Sequence, residues 1–136
     1  MLKGIILAII AIFIAWSALD FLIHGMLLKE TYDATAHLWR PMQDMNMMLM
    51  HGVTLVLAVL FVELYAVCVS QKSLSMGIKF GVIFGLAAGV MAASSYLYMP
   101  IPLSLAIDWF VGTLVECVVA GWLVGLLVKP EASHVD

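Results

Sequence analysis

The residues able to do chemistry in this chain are few, and they sit in apolar surroundings: Asp20, His24, His51 and Asp108, with Glu63 and Glu116 apart from them. Asp20 and His24 are four residues apart, so on a helix they project from one face, with Trp16 one turn further back. Met48 stands one turn before His51, and Met45 and Met42 continue that line. Three readings compete for the set. Two imidazoles and two carboxylates suit zinc, iron or manganese, and the methionines pull the choice toward copper, Cu(I) above all. No tight motif such as H-E-x-x-H binds them into a unit. The second reading makes His24 and His51 axial ligands of a haem, each followed by a glycine, Gly25 or Gly52, that relieves crowding beside the macrocycle. Asp20 and Asp108 suit such a pocket poorly, and a quinone pocket is its variant. The third is structural: Asp20 hydrogen-bonds His24, Asp108 meets His51 or Arg40, and the set joins helices to one another.

The stretch Met42-Gln43-Asp44-Met45-Asn46-Met47-Met48-Leu49-Met50-His51 admits both copper handling and plain packing. Packing is favoured, because Met47 and Met50 point away from the stripe that contains His51 and cannot share its ion. Glu116 falls near the middle of the last apolar run, where a lone charge meets neither water nor headgroup; it is protonated, hydrogen-bonded across to another helix, or part of a proton path running from Asp108 past Gly112. Glu63 lies within reach of Lys72 or Lys79 as a snorkelling ion pair.

The elements that position these groups follow from composition. A chain of 136 residues that is 65% hydrophobic and 11% charged has too little polar surface to cover a water-soluble globule, so it is a membrane protein. A net charge of −3 leaves no basic patch for nucleic acid. Cys68 and Cys117 fall inside apolar runs and read as small apolar filling. Four runs exceed the roughly 20 residues needed to cross a hydrocarbon core: 4–28, 45–69, 77–99 and 103–128. The first could pass for a secretory signal with Ala15-Trp16-Ser17 as its cleavage site, but its apolar stretch continues to Leu28 and predicts a retained helix. Polar residues 29–44, the turn Ser70-Gln71-Lys72-Ser73 and the reversal Pro100-Ile101-Pro102 connect the runs. The expected fold is all-α: one integral membrane domain, 1–136, in which four transmembrane helices form a bundle.

Lys3, Lys72, Lys79 and Lys129 fall on one side and Lys29 and Arg40 on the other, which predicts both termini in the cytoplasm. With about 1.5 Å of rise per residue, His24, Asp108, His51 and Asp20 then share a layer roughly 6 to 12 Å below the outer boundary. Gly77, Gly81, Gly85 and Gly89 recur every fourth residue and form a helix face that admits close backbone approach, with Gly121 and Gly125 a similar feature of the last run. Gly4, at the membrane edge, carries no comparable expectation.

The segment from Trp16 to Met45, with Leu19-Asp20-Phe21, Ile23-His24-Gly25, Tyr32 and Leu38-Trp39-Arg40-Pro41, resembles the first third of small four-helix bacterial membrane proteins of unknown function. The resemblance implies a compact bundle in a bacterial inner membrane and assigns no functional residues. Two functions follow as expectations: a small interaction protein, serving as accessory subunit of a membrane complex or as a homo-oligomer held by its glycine faces, or a metal- or haem-binding membrane protein using the outer His/Asp layer. No hydrophilic loop offers a water-filled active site, which disfavours an enzyme acting on soluble substrates.

Overall fold

The computed structural model describes residues 1–129; residues 130–136 of the expected domain lie outside the described part. Every described element is helical, and four helices are long and apolar enough to cross a membrane: Leu2–Leu27, Met47–Cys68, Leu74–Leu97 and Leu103–Leu127. Helices are the form such runs take because lipid offers no partner to a backbone N–H or C=O. The first span is α1, Leu2–Asp20, continued without a break by a π-helical segment, Phe21–Leu27. A short helix α2, Lys29–Ala34, and two 3-10 turns, Ala36–Leu38 and Met42–Asp44, occupy the expected polar loop. The remaining spans are α3, Met47–Cys68, α4, Leu74–Ala93 with a 3-10 extension Ser94–Leu97, and α5, Leu103–Leu127.

Two of the boundaries have visible causes. Asn46 starts α3 by accepting the Leu49 N–H on its side chain at 2.9 Å, and Ser73 starts α4 by accepting the Met76 N–H at 3.2 Å. The Ser73 cap sets the start of the third span three residues ahead of the expected Gly77. Tyr65 holds that corner: its hydroxyl donates to the Ser73 carbonyl at 3.1 Å and accepts the Ser73 N–H at 3.2 Å. The Asn46 cap also breaks the expected methionine line, since Met42 belongs to a separate 3-10 turn and not to the helix of Met48.

The glycine face is consumed inside the chain. Gly77, Gly81, Gly85 and Gly89 are all buried, and α4 lies antiparallel against α5 so that a Cβ built on Gly77 or Gly81 would meet the backbone of Gly121, Gly125 or Cys117 at less than 3.0 Å. Gly121 and Gly125 present the reciprocal surface to Gly81, Gly77 and Leu74. Gly4 corrects its expectation: a Cβ there would run into the Leu127 carbonyl oxygen, so the start of α1 crosses the end of α5 at backbone contact. Gly52, by contrast, has nothing within 4 Å of where its Cβ would be.

Toward the termini, α1, α3 and α5 converge on Ala8, Ile12, Ala58, Phe61, Val62, Tyr65, Ala120 and Val124. Aromatic edges knit α4 to this core, with Phe61 centred 4.9 Å from Phe80 and 5.2 Å from Phe84. At the loop end a second cluster of Leu28, Ile101, Leu105 and Ala106 is capped by Tyr32, Leu38, Trp39 and Trp109, so residues 29–46 fold back over the ends of α1 and α5. The half of α3 nearest that end joins neither cluster: from Met47 to Leu57 every residue is exposed except the half-buried Thr54.

Candidate functional site

Polar groups meet where the π-helical end of α1 passes α5 under the 29–46 segment. The π turn is closed by the Leu28 N–H donating to the Ile23 carbonyl at 2.8 Å, a bond five residues back, and His24 lies inside it. Such turns widen a helix locally and recur at functional sites. His24 Nδ1 stands 2.6 Å from the Tyr32 hydroxyl, and Trp109 Nε1–H donates to the same hydroxyl at 2.7 Å. An indole nitrogen can only donate, so the Tyr32 oxygen accepts from Trp109 and its own proton is free for His24 Nδ1. That assignment puts the imidazole proton of neutral His24 on Nε2, the nitrogen 4.0 Å from Asp20 Oδ1.

Tyr32 is positioned by its neighbours as well as by these bonds. Trp39 packs edge-on to it at 5.6 Å and is itself held by donating to the Thr35 hydroxyl at 2.8 Å, which in turn donates to the Thr31 carbonyl at 2.8 Å. Burial pushes the Tyr32 phenol above its usual value; the Trp109 hydrogen bond opposes this, while Asp108 and Asp20 reinforce it. Tyr32 is therefore a neutral hydroxyl throughout the physiological range.

One turn inward, Trp16 Nε1 donates to the Glu116 carbonyl at 2.9 Å and ties α1 to α5 near mid-span. The Glu116 Oε1 is buried without a hydrogen-bond partner, as is Ser17 Oγ.

The expected layer separates accordingly. Asp20 and His24 do lie together, both about half exposed. His51 stands apart, exposed on α3 with its ring 6.4 Å from that of Phe13. Asp108 borders a groove of about 580 Å³ between α1 and α5, beside Leu19, Ile23, Thr31 and Gly112. Met48 points outward at 85% exposure. Among the described residues no three His, Cys, Asp or Glu side chains converge on a common point, so the ligand set proposed from depth alone is not assembled within one chain. Equal depth along parallel spans leaves rotation about each axis free, and packing turns His51 away from His24. Glu63 is exposed and has no ion pair among the described residues; Lys72 instead donates to the Val69 carbonyl at 3.1 Å. Cys68 is exposed, and Cys117 is buried against the glycine face.

Sequence reasoning passed over Tyr32, Trp109 and Trp16 as partners. The available signal was their amphipathic character, an apolar ring with one polar atom near the end of a span. Comparison with protein-family models, with curated proteins and with solved structures returned no match.

Proposed function

We propose that this chain is a small interaction protein of the bacterial inner membrane, with both termini in the cytoplasm and its spans gathered as a bundle. It serves as a structural or accessory subunit of an assembly built from further copies of itself or from other membrane subunits. The observation that carries this reading is the bare half of α3. From Met47 to Leu57 no residue is buried and only Thr54 is half-buried, yet the stretch includes His51 and Gly52. A histidine left largely uncovered within a span is costly, and an uncovered glycine admits a neighbouring helix to backbone distance. Assembly through the glycine faces is not part of this reading, because those faces fill one another within the chain.

A photo-crosslinking residue at Gly52, installed in the native membrane, tests it. The expected product is a protein adduct of one defined mass, at twice the chain for self-assembly or at the mass of chain plus one subunit otherwise. Position Ile83, 70% exposed on α4, serves as the lipid-facing comparison. Lipid adducts alone from both positions would overturn the proposal.

A further inference from the structure

The groove between α1 and α5 is lined in a way that neither the interaction reading nor the packing of the spans accounts for. On α5, Asp108, Val111, Gly112 and Val115 fall on one helix face, so the groove runs inward from Asp108 for about 10 Å at 1.5 Å of rise per residue. Leu19 and Ile23 of α1 form the facing wall. Its floor is backbone: a Cβ built on Gly112 would stand 3.4 Å from the Ile23 Cγ2 methyl. Val111 is 50% exposed and Val115 44%, so the groove opens sideways on the outer surface of the spans. Its polar side chains, Thr31 and Asp108, both belong to the loop end. At about 580 Å³ the space falls within the range of about 300 to 1,000 Å³ that small-molecule sites occupy.

Asp108 decides what fits this space. It is the groove's one charged side chain, half-buried and about 8 Å from the start of α5 at 1.5 Å of rise per residue. A carboxylate inside a span ordinarily pairs with a cation. Among the described residues the ion pairs are His24 with Asp20 and Lys29 with Asp33, so Asp108 has none, and Lys29, which follows Leu28 of the groove, is engaged elsewhere. A fatty-acid carboxylate would meet like charge at this end, and so would the phosphate of a two-chain lipid. A wholly apolar chain would leave the Asp108 carboxylate uncompensated. We propose that the groove binds a single-chain amphiphilic cation, with its ammonium group at Asp108 and its alkyl chain laid along Val111 and Val115 toward mid-span. Charge complementarity at one end and apolar walls along the rest set both the occupant and its direction. Thr31 adds a hydroxyl oxygen at the charged end that can accept from a primary ammonium. The site rests on the membrane placement of the spans and not on assembly through α3, so it stands or falls apart from the crosslinking result at Gly52.

Equilibrium binding of radiolabelled dodecyltrimethylammonium to the purified full chain, in micelles of an uncharged detergent, reads the site as a saturable, stoichiometric component above the uptake by empty micelles. Dodecylamine is expected to displace the probe. Dodecanoate, an anion with a similar tail, and tetramethylammonium, a cation without one, are expected to leave it bound. Asp108→Asn removes the charge with little change of shape, and Val115→Trp fills the inner end of the groove from an exposed position. Each is expected to weaken binding by tenfold or more, whereas Glu63→Gln, at an exposed acid on α3, is expected to leave it unchanged. Helical ellipticity of the same samples identifies any variant that has lost its fold. Absence of a saturable component, or parent-like affinity in both folded groove variants, would overturn the site. Displacement by dodecanoate as readily as by dodecylamine would overturn the role of Asp108. Displacement by an ethanolamine phospholipid more readily than by dodecylamine would give the groove to a bilayer lipid and overturn the single-chain occupant.

Discussion

Replacing Gly81 by alanine adds one methyl group where α4 and α5 meet at backbone contact. An ideal Cβ there falls 2.9 Å from the Gly121 Cα and closer still to the Cys117 carbonyl oxygen, where ordinary contact is 3.4–4 Å. Both obstacles are backbone, so no rotamer change relieves them. The helices must separate by about 0.5 to 1 Å over this turn, and the neighbouring contacts at Gly77 and Gly85 are lost together with it, because dispersion falls off within that distance. Overpacking of this kind costs about 1 to 3 kcal/mol, and the gain of up to about 1 kcal/mol in helix propensity on replacing glycine offsets only part of it. Gly52→Ala makes the same chemical change on α3 where nothing lies within 4 Å, and it should be neutral or slightly stabilising. Reversible unfolding of both variants in mixed detergent and lipid micelles, followed by helical ellipticity, measures the difference. Gly81→Ala is expected to lower stability by about 1 to 2 kcal/mol relative to Gly52→Ala. Equal stability of the two variants would refute the reasoning, since it would mean that α4 and α5 do not approach at backbone distance. Gly4→Ala belongs with Gly81 in this series, because its Cβ meets the Leu127 carbonyl.

Three further outcomes are expected. A cysteine at the exposed Gln71 should label only from the cytoplasmic side and one at the exposed His37 only from outside; these positions suit the test better than Ser73, which caps α4, or the buried Thr35. Trp16→Phe keeps the ring against Phe61 but removes the donor to the Glu116 carbonyl, and should lower stability by about 0.5 to 2 kcal/mol in the same unfolding assay. Because the folded-state Tyr32 phenol is raised above its ordinary value of 10, its contribution to stability is full below pH 10 and is lost as pH rises through the higher folded value; spectrophotometric titration of tyrosinate should show one late-ionising group that Tyr32→Phe abolishes.

Much of this molecule is legible along the chain because lipid imposes a one-dimensional rule. A backbone without water must be helical, and a span must be long enough to cross, so the apolar runs alone locate the helices to within a few residues. Period four along Gly77, Gly81, Gly85 and Gly89 likewise fixes that one face is made for close approach. Spacing cannot name what approaches it. That α5 of the same chain fills the face, through Gly121 and Gly125, is decided by the antiparallel pairing of consecutive helices across a short turn. The candidate site divides in the same way. Residue rise gives depth, and depth placed Asp20, His24, His51 and Asp108 in one layer. Azimuth is a separate coordinate, set by which faces pack, and it turns His51 toward Phe13, brings the Trp16 indole to the Glu116 carbonyl and leaves Asp108 on a groove. The 29–46 segment carries no period from which its path could be read, and only its folding back over α1 and α5 sets Tyr32 between His24 and Trp109.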